Sequence, residues 1–347
     1  MPSTPSASIQ TLHRIATSNP VGGRQADALL RAQHLVDGAL TELSLRLETL
    51  GAQAPSPARE AIQHLMGAGG KRLRPLLTLL AARASGGESR HAVPCAVAAE
   101  LVHNATLLHD DVVDDGTTRR GLPAPRVLWG NTVSVLAGDL LLVAALQQVD
   151  EAPGQVRTEL VATMGQMVEG EVIQLAHRGQ LDLDRAAYEQ IIHHKTASLF
   201  RWCARAGALV AGAEPTVTDA LGRFGHHVGM AFQLRDDVLD LTGDPARTGK
   251  GLAADLAEGK LTLPVIVALE HEPSLASILR RLVHPNPALA DVAAVVQAVR
   301  RHAGLEGARQ RMGRELDDAR AALRCVPRSV AVELLGGVAD ALHYRDR

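Results

Sequence analysis

Two stretches concentrate carboxylates at a spacing that helix stability does not favour. In LLHDDVVDDGTTRRG, residues 107–121, Asp110 and Asp114 form an i, i+4 pair, and Asp111 and Asp115 form a second pair beside it. Like charges at that spacing repel on a helix, and carboxylates near a helix C-terminus meet the negative end of its dipole. A bound cation would relieve both penalties. Aspartate oxygens are hard donors suited to Mg2+. Arg119 and Arg120 follow at once, and planar guanidinium forks match phosphate geometry. The combination points to a site for Mg2+ and phosphate. Downstream, Asp236, Asp237 and Asp240 in GMAFQLRDDVLDLTGD repeat the spacing of Asp110, Asp111 and Asp114. The repetition gives the DDxxD pattern a weight that one copy lacks.

Other polar residues cluster in places that suit the same chemistry. Lys71, Arg72 and Arg74 are crowded between a Gly-rich break and Pro75, a candidate second phosphate site. His103 lies seven residues before Asp110 and shares its helical stripe. Lys195-Thr196 interrupts an otherwise apolar segment, and Lys250 and Lys260 flank a Gly-rich, charged loop with the character of a lid. Glu171 and Gln174 are i, i+3 neighbours that surface exposure alone would explain. His193-His194 and His226-His227 lack partners at metal-ligand spacing and read as ordinary surface or core histidines.

Positioning these residues falls to helices. Apolar residues Leu29, Val36, Leu40, Leu43, Leu47 and Leu50 recur at helical spacing and predict one long amphipathic helix. Further helices are predicted from Pro57 to about Gly67, from Pro75, from about Pro94 into the first aspartate cluster, from Asn131 through Gln148, and from Asp184 onward. Strand periodicity is absent over useful lengths, so the fold is expected to be all-α. Lys71 precedes Asp110 by 39 residues and Lys195 precedes Asp236 by 41. This hint of duplication would set two helical hairpins face to face across one cavity, within a single domain.

Composition supports that picture. The chain has 347 residues, 46% of them hydrophobic but only 2% aromatic, so its core must be built from Leu, Val, Ile and Ala. A formal net charge of −2 gives no reason to expect a nucleic-acid surface. Cys95, Cys203 and Cys325 are far apart and odd in number, which argues for buried, inert thiols rather than a disulfide framework. Residues 1–25 are rich in Ser, Pro, Thr and Gly and are expected to form a disordered tail with no signal-peptide pattern, which makes a cytoplasmic location the default. Asp139 divides the best apolar run, so no transmembrane segment is expected.

The motifs GGKRLRP, ELVHNATLLHDDVVDDGTTRRG, KTASLF, GMAFQLRDDVLDLTGD and GKGLAADLAEGKLTLP, in that order, resemble the trans-isoprenyl diphosphate synthases, the polyprenyl synthetase family. The resemblance covers residues 26–347, and its pattern is nearest the medium- and long-chain polyprenyl diphosphate synthases. It implies a homodimeric, all-helical enzyme of the isoprenoid synthase type, a single-domain bundle around a deep central cavity. It implies Mg2+ held by Asp110, Asp114 and Asp236, supported by Asp111, Asp237 and Asp240. Arg119, Lys195, Thr196, Gln233, Lys250 and Lys260 would bind an allylic diphosphate, and Lys71, Arg74, His103 and Arg120 would bind isopentenyl diphosphate. The linker Asp115-Gly116-Thr117-Thr118 departs from the more acidic or Ser-containing form of that motif.

Ala105 and Thr106, one turn before Asp110, would face the growing prenyl chain, and both are small. That size predicts products longer than farnesyl, in the medium-to-long range. Geranylgeranyl diphosphate is the main alternative because Leu141, Leu142 or Val143 could form a lower floor, and farnesyl diphosphate is a further one. A class I terpene cyclase would lack the KRLRP site and a second DDxxD motif. A regulatory subunit of a heteromeric synthase would usually have eroded aspartates.

Overall fold

The structure is a computed structural model that describes residues 23–182, 184–243, 253–282 and 288–343. Most of the expected tail, the loop residue Lys250 and the last four residues lie outside them.

Helix follows helix along the chain. In order they are α1 (Gly23–Leu35), α2 (Asp37–Gln53), α3 (Ala58–Gly67), α4 (Leu73–Ala84), α5 (Val93–Val113), α6 (Pro125–Gln148), α7 (Gly154–Ala176) and α8 (Arg185–Ile192). A π turn, His193–Ala197, joins α8 to α9 (Ser198–Val210), and α10 (Pro215–Thr242) carries the second aspartate motif. Then come α11 (Ala254–Ala257), α12 (Leu263–His271), α13 (Leu275–Leu282), α14 (Leu289–Arg301), α15 (Gly304–Leu323) and α16 (Val330–His343). The expected all-α class holds, with one hairpin between α5 and α6, in which β1 (Thr118–Arg119) pairs antiparallel with β2 (Leu122–Pro123). Its turn residues, Arg120 and Gly121, both have positive φ, as a type I′ turn requires.

The centre of the molecule is an alanine- and leucine-rich stack of α4, α5, α9 and α10. Small residues let these helices approach closely. Leu77, Leu79, Leu80, Ala98, Ala99 and Leu101 are almost wholly removed from water, as is Phe200. A residue of that size contributes about 1.5–3 kcal/mol when fully buried.

Several boundaries differ from the sequence expectation. The long helix through Leu29 and Leu50 is two helices, α1 and α2. Val36 between them leaves the helical region, and Asp37 opens the second helix where a carboxylate suits the dipole. The helix expected from Asn131 starts six residues earlier and is kinked at Gly130, whose φ of 83° is open to glycine at little cost. Asp184 does cap α8, accepting from the Ala187 N–H at 2.8 Å. Cys95 and Cys203 are buried and their thiols pushed up to about 12 by desolvation, but Cys325 is exposed, contrary to expectation.

Helix α6 runs unbroken through Asp139, which divides its apolar run; it is long and apolar enough to cross a membrane by length and composition alone, with 22% of its most apolar window buried within the chain. Val127, Leu136 and Val143 on α6 are exposed, as are Val161, Val168 and Val172 on α7.

Candidate active site

A cavity of about 870 Å³ opens between α4, α5, α6, α7, the π turn and α10. Asp110 sits at its mouth on α5, and Asp236 and Asp240 sit there on α10. A smaller polar annex of about 170 Å³ adjoins the mouth and shares Asp110, Arg119, Lys195, Thr196 and Gln233 with it. Both aspartate motifs therefore reach one space, as their repetition suggested. Much of the remaining wall is apolar, with Val102, Leu107, Leu142, Met164, Met167 and Phe232.

Around the first motif, carboxylates are met by cations from distant elements. Lys195 Nζ is 3.8 Å from Asp110 Oδ2, is ion-paired with Glu171, and donates to Gln174 Oε1 at 2.9 Å. Lys260 Nζ donates to Asp114 Oδ2 at 2.6 Å and to Glu258 at 2.7 Å, and Arg178 also pairs with Asp114. Arg119 forks onto the fully buried Asp111, with Nε 2.9 Å from Oδ1. Burial drives the Asp110 carboxyl upward and Lys195 opposes it, while Glu171 and Asp114 add to the rise. Desolvation acts the same way on Asp114, yet Lys260, Lys195 and Arg178 bring it below the ordinary carboxylate range. A crowd of carboxylates whose charge is resisted by burial and by its neighbours is a fitting donor set for a hard divalent cation.

The second motif lies within α10, with Asp237 buried and Asp236 and Asp240 partly exposed. Asp237 is buried and accepts from Tyr188 Oη, with Gln233 Nε2 3.0 Å away. Desolvation first, then Asp255 and Asp236, push its carboxyl up to about 7 against the two hydrogen bonds. Asp236 is more open and takes a 2.7 Å hydrogen bond from its neighbour Arg235. Asp240 Oδ1 accepts from the Ala254 N–H at 3.0 Å, which fastens the start of α11 to the site.

On the opposite side, Lys71, Arg74 and His103 line the cavity together. Arg74 is half-buried and lies over the Phe200 ring at 4.6 Å, and its Nε, shielded from solvent, has no hydrogen-bond partner. Burial, then Arg74, Arg120 and Arg119, hold His103 well below its ordinary pKa, so it is a neutral imidazole at pH 7. A guanidinium with a shielded, unsatisfied donor suits a phosphate oxygen. Arg120 is placed differently. It lies outside the cavity wall, with its guanidinium donating to the Gly69 and Leu65 carbonyls, where it braces the glycine break before Lys71.

Two expectations about the cavity wall are narrowed. Thr106 lines the cavity, whereas Ala105 is fully buried in the core and is not on that wall. Ala105 points instead into the packed core, about 100° around the helix from Thr106. Among the three floor candidates, Leu142 lines the cavity, Leu141 is in the core and Val143 is exposed.

Sequence reasoning undervalued Glu171 and Gln174, which hold Lys195, and it missed Arg178, Tyr188 and Asp255. The close passage of α7 past the π turn had a visible signal in Gly170, where a Cβ would meet His194 Cβ at 2.8 Å and the Lys195 nitrogen at 2.9 Å. Thr196 Oγ1 donates to Gln233 Oε1 at 2.9 Å, so the π turn and α10 are tied directly at the mouth.

Comparison with known proteins agrees with this geometry. The Polyprenyl synthetase family profile matches residues 55–300. The heptaprenyl diphosphate synthase component 2 of Geobacillus stearothermophilus is 38% identical over 291 residues, 84% of this chain and 90% of that protein. The octaprenyl diphosphate synthase of Escherichia coli (strain K12) is 37% identical over 286 residues, 82% of this chain and 88% of that one. Among solved structures, a polyprenyl synthase from Caulobacter crescentus CB15, complexed with calcium and isoprenyl diphosphate, superposes with a TM-score of 0.86. It is 36% identical and covers 91% of this chain and 98% of that one.

Proposed function

The chain belongs to the polyprenyl synthetase family, and from that premise we propose how its residues perform trans-prenyl transfer, condensing isopentenyl diphosphate with an allylic diphosphate into a medium-to-long trans-polyprenyl diphosphate. The observation that carries the reading is one cavity lined both by aspartates of the two motifs and by a set of apolar side chains.

Asp110, Asp114 and Asp236 hold Mg2+, with Asp111, Asp237 and Asp240 shaping their surroundings. When bound, Mg2+ supplies positive charge to the departing pyrophosphate, an electrostatic contribution of several kcal/mol. Lys195, Thr196, Gln233, Arg119 and Lys260 grip the allylic diphosphate, and Lys250 joins them by its place in the motif. Lys195 and Lys260 now pair with carboxylates at the mouth, so a diphosphate there would take over cations already in place. Lys71, Arg74 and His103 grip isopentenyl diphosphate, His103 as a neutral donor, and Arg120 holds their loop. The allylic C–O bond ionises, the double bond of isopentenyl diphosphate attacks the cation, and the released pyrophosphate takes the proton. No protein nucleophile is required.

The exposed apolar face of α6 and α7 is proposed as the homodimer interface. Val168, Val172 and Leu175 are both exposed and part of the cavity lining, so a partner on this face would also close the side of the cavity. The name of the Geobacillus relative, a "component 2", favours a second reading in which the same face meets a different subunit. Purifying the chain alone and measuring native mass and activity together separates the two. The cytoplasm is the compartment this reading assigns.

The direct test is incubation of the purified protein with isopentenyl diphosphate, Mg2+ and several allylic primers, followed by chromatography of the products. Products longer than farnesyl are expected. Thr106→Phe should shorten them, because a phenyl ring would project into the cavity. If wild type stops at farnesyl, or the aromatic leaves chain length unchanged, the assignment of that wall fails.

A further inference from the structure

Behind the wall that presents Lys195 and Thr196, the fold gathers four histidines that sequence spacing leaves apart. His193 and His194 lie in the π turn, and His226 and His227 lie on α10, His226 two turns before Gln233. His193 Nδ1 is 3.2 Å from His226 Nδ1. His227 Nδ1 is 2.6 Å from Oε2 of Glu315, a buried carboxylate on α15. One ligating atom from each of His226, His227 and Glu315 lies within 4.8 Å of the other two.

The charges around this cluster favour a cation. Arg311 bridges Glu315, at 2.5 Å, and Glu189, at 2.9 Å, so one guanidinium is shared by two carboxylates, and Arg201 is a further cation near His193 and His226. Burial, then His193 and His227, hold His226 down at about 4, and its imidazole is neutral with a lone pair available at pH 7. Desolvation, His194 and Arg201 also lower His193. Two facing ring nitrogens can share one proton, whereas a metal ion satisfies both. Zn2+ ligated at about 2.0–2.1 Å by tetrahedral donors spaces them roughly 3.4 Å apart, near the separation His193 and His226 already have.

We propose that His226, His227 and Glu315, with His193 adjoining His226, form a binding site for a borderline divalent transition ion such as Zn2+, separate from the aspartate motifs. Ligand chemistry keeps the two sites distinct, since imidazole selects zinc-like ions and all-oxygen donors suit Mg2+. An ion here links the π turn, α10 and α15, and so fixes the two elements that deliver Lys195, Thr196 and Gln233.

The test uses the full chain in excess Mg2+, titrated with Co2+ as a spectroscopic probe, with Zn2+ retained after dialysis measured in parallel. A single ion per chain with the visible absorption of four-coordinate Co2+ is expected. His226→Ala and His227→Ala should abolish it, Asp110→Asn should leave it intact, and Zn2+ should raise the melting temperature of wild type and Asp110→Asn but not of the two histidine variants. Circular dichroism checks folding. If His227→Ala unfolds because Glu315 loses its partner, His193→Gln in the half-buried turn should still weaken binding at least tenfold. The proposal is overturned if Co2+ does not bind in the presence of Mg2+, if binding survives in every histidine variant, or if it disappears with Asp110→Asn.

Discussion

Asp110 on α5 and Asp114 at its C-terminal cap meet cations carried by the π turn, the segment after α7 and the turn between α11 and α12, whereas the partners of Asp236 and Asp237 on α10 are Arg235, Gln233 and Tyr188. The same spacing of the same residue thus stands in two electrical states. At the first motif borrowed lysines and arginines bring Asp114 below the ordinary carboxylate range, while burial still raises Asp110 against the pull of Lys195. At the second, burial leaves the Asp237 carboxyl near 7, where a proton competes with any cation. A motif determines which atoms can ligate; the packing around it determines what a ligand must displace. At Asp114 that is the Lys260 ammonium group, and at Asp236 it is the guanidinium of Arg235.

The strongest way to break this comparison is to remove one ligand from each motif. Asp110→Ala and Asp236→Ala should each lower turnover by roughly 10^3-fold or more, because each deletes charge from a site that supplies several kcal/mol. Near-normal activity in either variant, measured at saturating Mg2+, would show that the motifs do not act as a pair.

The protonation difference can be read from stability. In cation-free protein the Asp237 carboxyl is raised to about 7 from 3.8, so the native state keeps a proton that the unfolded chain releases. Its stabilising effect is complete below the unfolded pKa and is lost as pH rises through about 7. A gap of about three units sets an upper limit of roughly 4 kcal/mol. Urea unfolding with chelator present should show lower stability at pH 8 than at pH 5, and Asp237→Asn should flatten the profile. A pH dependence untouched by that substitution would have to arise at another group.

Smaller effects distinguish the two sides of the cavity. Lys195→Ala should raise the Michaelis constant for the allylic substrate about 10–100-fold, as expected for loss of a charge-assisted contact. Arg74→Ala and His103→Ala should act mainly on isopentenyl diphosphate. Should all three variants raise only the allylic constant in steady-state titrations, the two-sided division would be wrong.

The contrast also explains what could be read from the chain. The all-helical class, the shared space of the two aspartate motifs and the placement of Lys71, Arg74 and His103 on one wall were legible, because each rests on spacing within a single helix or on a short motif. Arg178, Tyr188 and the role of Glu171 were not, since their partners lie 64, 49 and 24 residues away and only tertiary packing joins them. Ala105 and Thr106 were separable only by helix rotation, and a sequence does not say which of two neighbours faces inward until the packing of α5 is known. The four histidines were invisible for the same reason, as two local pairs that meet only across helices.

The π turn at His193–Ala197 amounts to one residue inserted in an otherwise regular helix. Its consequence is one of reading frame. Deleting a single residue there would let the backbone relax into continuous α-helix at no loss of hydrogen bonding, while everything before the deletion rotates by about 100° relative to α9. Lengthening or shortening most surface loops is tolerated, but here a change of one residue would keep the helix and turn Lys195 away from Asp110. Lineages of this fold can therefore exchange side chains along α8 and α9 far more freely than they can gain or lose a position between them.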